Sequence, residues 1–148
     1  MTLIDTTAAS QTDSISFELE LNHAPQKVWR ALTDPALLAE WLLPVVGHAL
    51  ALEPGAAFKL KTQPFPGWDG IVDCRVLEIE AHRTLSYTWG VPFLDTVVTF
   101  TLTPTASGTR LSLVQSGFKP GQKQNFGGAR YGWKMMGGKL VDLLARLP

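Results

Sequence analysis

Hydrophobic and polar residues alternate with a period of two over much of this chain. The first alternating segment carries its apolar residues at Ile15, Phe17, Leu19 and Leu21. A period of two is typical of a strand with one buried face and one solvated face. Similar segments, separated by turns rich in glycine and proline, continue from Val45 to Gly117. Together they predict about six or seven strands, and the short connections favour an antiparallel meander.

Two of these segments carry more detailed expectations. We expect a strand over His48–Leu52, just before the turn residues at 53–55. The long strand Ile71–Glu80 changes the parity of its apolar residues between Val76 and Leu77. That change predicts either a β-bulge or a strand covered on both faces.

Helical patterns lie at both ends of the strand-rich region. Pro25 suits the first turn of a short helix, Asp34 suits the N-cap of a second one, and Pro44 ends that second helix. A longer pattern covers 125–147, with apolar residues at steps of three and four: Phe126, Ala129, Trp133, Met136, Leu140, Leu143, Leu144 and Leu147. A helix of that length, about 35 Å, can cross the concave face of a curved sheet.

Glycines interrupt the N-terminal half of this long helix, at Gly127, Gly128, Gly132, Gly137 and Gly138. Each interior glycine costs a helix roughly 0.5–1 kcal/mol relative to alanine. Two interpretations account for this cost. The glycines permit close packing of the helix on the sheet, or the helix covers a cavity and its small residues leave room for a guest molecule.

The order of elements predicts an α+β fold: a strand, two short helices, about six strands and one long helix. We expect a single domain over residues 15–148 and a flexible N-terminal tail over residues 1–14. The tail lacks the basic start and apolar stretch of a signal peptide. No apolar run approaches the roughly 20 residues that a membrane span requires.

Composition excludes several classes of function. The formal net charge is zero, so we expect neither nucleic acid nor an anionic membrane as a partner. Cys74 is the one cysteine, which excludes an internal disulfide and fits a cytoplasmic protein. An apolar content of 45% is ordinary for a globular domain.

Ordered motifs along the chain carry a resemblance. Residues 22–35 read NHAPQKVWRALTDP, and Trp41 follows in the second helix. Further motifs are Gly70–Val72, Leu85–Trp89, Gly108–Leu111, Gln115–Phe118 and Gly132-Trp133. In this order they resemble the SRPBCC (START-like) superfamily, and more narrowly its branch named for activators of the heat-shock protein 90 ATPase. The resemblance implies a helix-grip fold, in which the sheet wraps the C-terminal helix and a pocket can lie between them.

The resemblance leaves three hypotheses about function open, because the superfamily includes proteins of several kinds. The first is a protein that binds a small hydrophobic or aromatic molecule between the sheet and the C-terminal helix. The second is a protein–protein interaction module related to chaperone ATPase activators. The third is an enzyme similar to polyketide cyclases and aromatases.

Candidate chemistry is sparse. His23, His48 and His82 lie far apart and without a cysteine cluster, so we expect no metal site. Motifs for nucleotide phosphates and for a serine nucleophile are missing, and we expect neither a cofactor nor a catalytic residue. Cys74 lies mid-strand with Arg75 on the opposite face, so we interpret it as a small buried hydrophobe. Its neighbour Asp73 is either a paired, solvent-facing carboxylate or a polar group of the pocket.

Aromatic and apolar residues predict the ligand site. Core packing is the alternative for each of them. We expect Trp133 to be buried between the terminal helix and the sheet, and Trp68, in a loop rich in proline and glycine, to lie at the pocket mouth. The cavity candidates are Trp41, His48, Phe58, Leu60, Trp68, Val72, Cys74, Tyr87, Trp89, Phe126, Trp133 and Met136.

Overall fold

The computed structural model describes residues 3–8, 13–48, 50–64, 66–92 and 94–148, and it leaves the side chain of His48 undescribed. The strands are β1 (Leu3–Asp5), β2 (Ser14–Leu21), β3 (Ala57–Lys61), β4 (Ile71–Glu80), β5 (Thr84–Val91), β6 (Leu94–Thr105) and β7 (Gly108–Ser116). The α-helices are α1 (Pro25–Thr33), α2 (Pro35–Trp41) and α3 (Lys123–Arg146). One turn of 3-10 helix covers Val46–His48.

The strands form one antiparallel sheet in the order β1-β2-β7-β6-β5-β4-β3. Alternate residues of β2, β6 and β7 are buried on the inner face of the sheet, as their period of two requires. Buried residues of α3, including Trp133, Leu140 and Leu144, pack over this face. The helix-grip architecture expected from the sequence is therefore confirmed, and so is the burial of Trp133, which is 2% exposed.

Local signals of the sequence place the two short helices. Pro25 occupies the first turn of α1, where its missing N–H is not needed. Asp34 caps α2, because its Oδ1 accepts a hydrogen bond from the backbone N–H of Ala36 at 3.0 Å. The indole N–H of Trp41 donates to the carbonyl oxygen of Ala31 at 2.8 Å. This bond joins the end of α2 to α1.

The predicted bulge of β4 is confirmed. The register between β4 and β5 shifts between Val76 and Glu78, so that Leu77 becomes exposed. The parity change in the sequence thus reports an extra residue in one strand.

The strand expected over His48–Leu52 is wrong in the described part of that segment. Gly47, within the 3-10 segment Val46–His48, adopts a φ of 80°, which lies outside the range of a strand. Residues 50–52 have no regular structure, although Leu50 and Leu52 pack against the core. The apolar residues there reflect burial, which a loop can also provide.

Part of the segment expected to be a flexible tail forms β1 instead. Leu3 pairs with Leu19 of β2, and its methyl groups lie about 3.3 Å from where a Cβ on Gly137 would stand. Asp5 pairs with Arg130 of α3, whose Nε lies 2.6 Å from its Oδ2. Burial raises the pKa of Asp5, but hydrogen bonds from Arg130 and Thr7 outweigh it and hold that pKa below its usual range. The N-terminal strand is thereby attached to α3.

Candidate functional site

Five aromatic rings form a continuous series of contacts between the sheet and α3. Phe58 packs edge-on against Tyr87 with ring centroids 5.1 Å apart, and Tyr87 lies 6.1 Å from Phe100. Phe100 then contacts Trp133 at 6.2 Å, and Trp133 contacts Trp89 at 5.6 Å. We call these five residues the aromatic arc. Such tilted and edge-on pairs are favourable arrangements of aromatic rings.

Cys74 lies in the sheet between the two ends of the arc. It pairs in register with Phe58 of β3, and the pairing of Asp73 with Gly90 places Cys74 beside Trp89 of β5. Phe58 and Trp89 are half-buried, whereas Tyr87, Phe100 and Trp133 are almost completely buried. The arc therefore begins and ends near the protein surface, and the small Cys74 side chain lies between its ends.

A chain of buried hydrogen bonds fixes the middle of the arc. The indole N–H of Trp133 donates to Oε1 of Gln115 at 2.7 Å, and Nε2 of Gln115 donates to Oγ1 of Thr96 at 2.8 Å. The Thr96 hydroxyl in turn donates to the carbonyl oxygen of Trp89 at 3.0 Å. Because Gln115 and Thr96 are 2% and 3% exposed, each would be costly to bury without these partners. The chain holds α3 in register with three strands.

Side chains almost fill the space beside the arc. An enclosed space bounded by Trp41, Phe100, Trp133 and Gly137 measures only about 10 Å³, and a cavity needs roughly 10–15 Å³ to hold one water molecule. The sequence predicted a cavity between the sheet and α3. A guest larger than a water molecule fits into this enclosed space only if side chains move.

The structure places the predicted site residues in three groups. The buried ones are Trp41, Leu60, Val72, Cys74, Tyr87 and Trp133. The half-buried ones are Phe58, Trp68, Trp89, Phe126 and Met136. The side chain of His48 lies outside the description. Phe58, Cys74, Tyr87, Trp89 and Trp133 come together at the arc.

Other predicted residues lie around this group. Trp41 packs edge-on against Phe100 at 6.2 Å, and Phe126 packs against Phe118 at 5.2 Å. Leu60 and Val72 pair across β3 and β4 in a neighbouring row of the inner face. Trp68 belongs to the loop after β3, and its indole N–H donates to the carbonyl oxygen of Ile71 at 2.9 Å.

The described interior contains no charged side chain. Its buried polar residues are Ser86, Thr96, Thr109 and Gln115. Burial raises the pKa of the Cys74 thiol to about 12, with a smaller contribution from Asp73. Burial also raises the pKa of Tyr87 well above its usual range, and the nearby Cys74 adds to this shift. Both groups are therefore neutral at neutral pH, and Cys74 is not an activated nucleophile.

An open groove of about 930 Å³ runs along the outer face of the sheet, and its lining also includes Phe58 and Cys74. Its charged lining residues, Lys59, Asp73, Arg75 and Asp95, alternate with the residues of the inner face. Asp73 lies here, exposed, and its Oδ1 is 2.5 Å from Nζ of Lys59. Asp73 is thus a paired, solvent-facing carboxylate and not a polar group of the interior.

No group of three or more His, Cys, Asp or Glu side chains among the described residues is arranged to hold a metal ion. None of the helices in the described ranges has the length and hydropathy needed to cross a membrane.

Sequence reasoning missed Gln115, Thr96 and Phe100. Gln115 follows Leu111 and Leu113 at positions of the same parity in β7, and Thr96 precedes Val98 and Phe100 in the same way in β6. The signal in the sequence was a polar residue at a position of the strand where the other residues of the same parity are apolar. It marks a group that must find a buried hydrogen-bond partner.

Comparison with solved structures supports the architecture. Protein MLL2253 from Mesorhizobium loti superposes with a TM-score of 0.82 and 41% identity, covering 91% of this chain and 98% of that one. Protein CV1439 from Chromobacterium violaceum gives a TM-score of 0.73 and 28% identity, covering 90% and 98%. DynU16, from the dynemicin biosynthetic locus, superposes with a TM-score of 0.76 and 23% identity, covering 92% of this chain and 48% of that one. At this level of identity the comparison shows a shared fold alone.

Sequence comparison agrees with these superpositions. No curated protein matches the chain. The sequence pattern of the family described as Activator of Hsp90 ATPase homolog 1-like protein matches residues 22–145, which include α1, α2, β3 to β7 and nearly all of α3. Together with the helix-grip fold, this match shows that the chain belongs to the Activator of Hsp90 ATPase homolog 1-like family of the SRPBCC superfamily.

Proposed function

We propose that this protein binds a small apolar or aromatic molecule between the sheet and α3, at the aromatic arc. One observation carries the proposal: the arc encloses Cys74, and its two ends, Phe58 and Trp89, are half-buried. Sites for small molecules are lined mainly by apolar and aromatic side chains with a few polar groups. The arc has this character, and it reaches the protein surface.

Binding between the sheet and α3 requires movement, because the enclosed space beside Trp133 is only about 10 Å³. We infer that Phe58 and Trp89 swing outward and that the ring of the ligand takes their place over Cys74. The ligand then replaces the ring contacts that Phe58 makes with Tyr87 and that Trp89 makes with Trp133. The buried chain from Trp133 to Thr96 keeps the floor of the site in place during this exchange.

A second candidate function, protein–protein interaction, rests on the outer face of α3. Tyr131 and Met135 lie four residues apart on that face and are 64% and 51% exposed. An exposed apolar pair on a helix surface forms a patch that a partner protein can cover.

The enzyme hypothesis has no comparable observation, since the described interior offers no carboxylate or amine for acid–base catalysis. We also propose that the protein acts in the cytoplasm, where its one cysteine stays reduced.

The test uses naphthalene as an apolar two-ring probe and the indole N–H signals of the tryptophans in a two-dimensional NMR spectrum. We expect saturable shifts at Trp89 and Trp133. Trp29 provides an internal control, because it lies on α1, half-buried, and packs edge-on against His82. Its signal is expected to stay in place. Binding to the folded state also raises stability, by about 2.7 kcal/mol at a ligand concentration of one hundred times the dissociation constant.

Two results would contradict the proposal. The first is the absence of any saturable shift up to the solubility limit of naphthalene. The second is a set of shifts confined to the backbone N–H signals of α3 around Tyr131 and Met135, which would place the apolar contact surface on the outside and favour the interaction module.

A further inference from the structure

The outer side of α3 carries a row of exposed residues whose spacing is the same in both directions along the helix. The row comprises Gln124, Gly128, Tyr131, Met135, Gly138 and Asp142, at steps of four, three, four, three and four residues. Steps of three and four keep all six on one side of a helix. Each of them is exposed, so within the described ranges no part of the chain covers this outer row.

Reversal of the outer row brings together residues that suit each other. In two antiparallel copies of α3, related by a two-fold axis midway between Tyr131 and Met135, Tyr131 lies opposite the partner's Met135. The thioether of methionine makes favourable contacts with aromatic rings. The same axis places Gly128 opposite the partner's Gly138. A Cβ on either glycine would meet no heavy atom within 4 Å, so nothing in each copy hinders a close approach of the two helices there.

Charges near the ends of α3 are complementary in the same arrangement. Lys123 begins the helix, and Asp142 lies about one turn before its last residue, Arg146. Each charge has the sign that the helix dipole disfavours at its end of the helix. Among the described residues neither Lys123 nor Asp142 forms an ion pair. Because positions 124 and 142 are opposite each other in the antiparallel pair, Lys123 comes beside the partner's Asp142, and each charge is compensated.

Two further cations border the outer row, and both are already compensated in part within one copy. Nε of Arg130 lies 2.6 Å and Nζ of Lys134 lies 3.8 Å from Oδ2 of Asp5. This carboxylate reduces the repulsion between the two copies at that edge of the row.

We propose that two copies of this protein associate through the outer row, as an antiparallel pair of α3 helices about a two-fold axis. The proposal is independent of ligand binding at the aromatic arc, because Trp133 lies on the opposite, buried side of the helix. One helix against one helix buries less than the roughly 1,200 Å² of a standard interface, so we expect a dissociation constant on the order of 0.1 mM. At micromolar concentrations the protein is then a monomer.

The experiment reverses one charge at a time and then mixes the two variants. Sedimentation equilibrium measures self-association of the wild type, Lys123→Glu and Asp142→Lys from about 10 μM to about 1 mM protein. Each variant alone places like charges opposite each other at both ends of the pair, so its association should be about fivefold weaker or more. A mixture of the two variants places opposite charges together at both ends. Its association should return to within about twofold of the wild type, which no effect inside a single copy produces.

Matched controls separate the outer row from the rest of the surface. Met135→Glu puts a charge at the apolar centre of the row and should abolish association. Leu77→Glu replaces another exposed apolar residue, on β4, and should leave association unchanged. Lys61→Glu changes the net charge as Lys123→Glu does, but it lies exposed on β3 and should have no effect either.

Three results would overturn the proposal. The first is a wild type that stays monomeric up to about 1 mM. The second is a dimer that tolerates Met135→Glu. The third is a mixture of the two charge variants that associates no better than either variant alone, since the copies would then meet through another surface. None of these results bears on the aromatic arc, which the naphthalene titration tests separately.

Discussion

Alanine at Gly128 should stabilise the protein, which tests the orientation of α3. Gly128 lies in the N-terminal half of the helix and is exposed, and a Cβ added there meets no heavy atom within 4 Å. Alanine is better than glycine in a helix interior by roughly 0.5–1 kcal/mol, because glycine loses more backbone freedom on folding. For a domain of this size that gain raises the melting temperature by roughly 1–4 °C.

Gly138 and Gly137 provide a matched pair further along the same helix. Gly138 is exposed and open like Gly128, so Gly138→Ala should give a similar gain, and the two gains should add. Gly137 is buried, and a Cβ there would stand 3.3 Å from both methyl carbons of Leu3. The gain in helix propensity at Gly137 is therefore offset by the displacement of Leu3.

The measurement is urea unfolding followed by circular dichroism, with thermal melts of the three single variants. The expected order of stability is Gly128→Ala and Gly138→Ala above the wild type, with Gly137→Ala below both of those variants. The reasoning is refuted if Gly128→Ala and Gly138→Ala lose stability, since α3 would then turn a different face to the solvent. Gly128 faces away from the sheet, so it neither permits close packing of the helix on the sheet nor leaves room for a guest molecule. Gly137, in contrast, is a position where α3 packs closely against Leu3 of β1.

Three further predictions concern buried and paired groups. Gln115→Leu leaves the Trp133 N–H without its acceptor and should cost about 1–3 kcal/mol; a double-mutant cycle with Trp133→Phe should show coupling, and additive losses would contradict the hydrogen-bonded chain. Asp5→Asn should destabilise the protein at neutral pH. Folding lowers the pKa of Asp5, so its ionised carboxylate stabilises the folded protein fully when the pH is above the ordinary pKa of 3.8. This stabilisation is lost as the pH falls through the pKa of Asp5 in the folded protein. The acid unfolding curves of Asp5→Asn and the wild type should therefore converge at that pH. Cys74, with a pKa of about 12 and 4% exposure, should resist iodoacetamide at mildly alkaline pH until denaturant is added, and stoichiometric labelling of the native protein seen by mass spectrometry would show that the thiol is accessible.

The parts of the fold that depend on neighbouring residues were predictable from the sequence. Alternation gave β2, a change of parity gave the bulge of β4, and Asp34 before Pro35 gave the cap of α2. β1 was not predictable, because a strand of three residues owes its stability to distant partners, the ion pair of Asp5 with Arg130 and the contact of Leu3 with Gly137. Such contacts exist only after the chain has folded.

The candidate site was predictable to a similar extent. Residue type and strand parity identified Phe58, Tyr87 and Trp89 as candidates, and helical spacing identified Trp133 on α3. The fold expected from the resemblance indicated that their elements meet. The filling of the space beside Trp41 and Trp133 depends on the side-chain rotamers of several elements at once, which no local pattern encodes. The hydrogen-bonded role of Gln115 likewise depends on a helix that lies next to β7 only in the folded chain.

The pairing of β2 with β7 has a consequence for biosynthesis. β2 lies near the start of the chain, yet its long ladder, from Ser14 opposite Ser116 to Leu21 opposite Thr109, needs a strand that is made near the end. Chains emerge from the ribosome at roughly 5–20 residues per second. For several seconds, therefore, β1 has been made but β7, the other neighbour of β2 in the final sheet, has not. During that interval the apolar face and open edge of β2 are exposed to other nascent chains. β2 is therefore a segment that needs protection while the protein is being made.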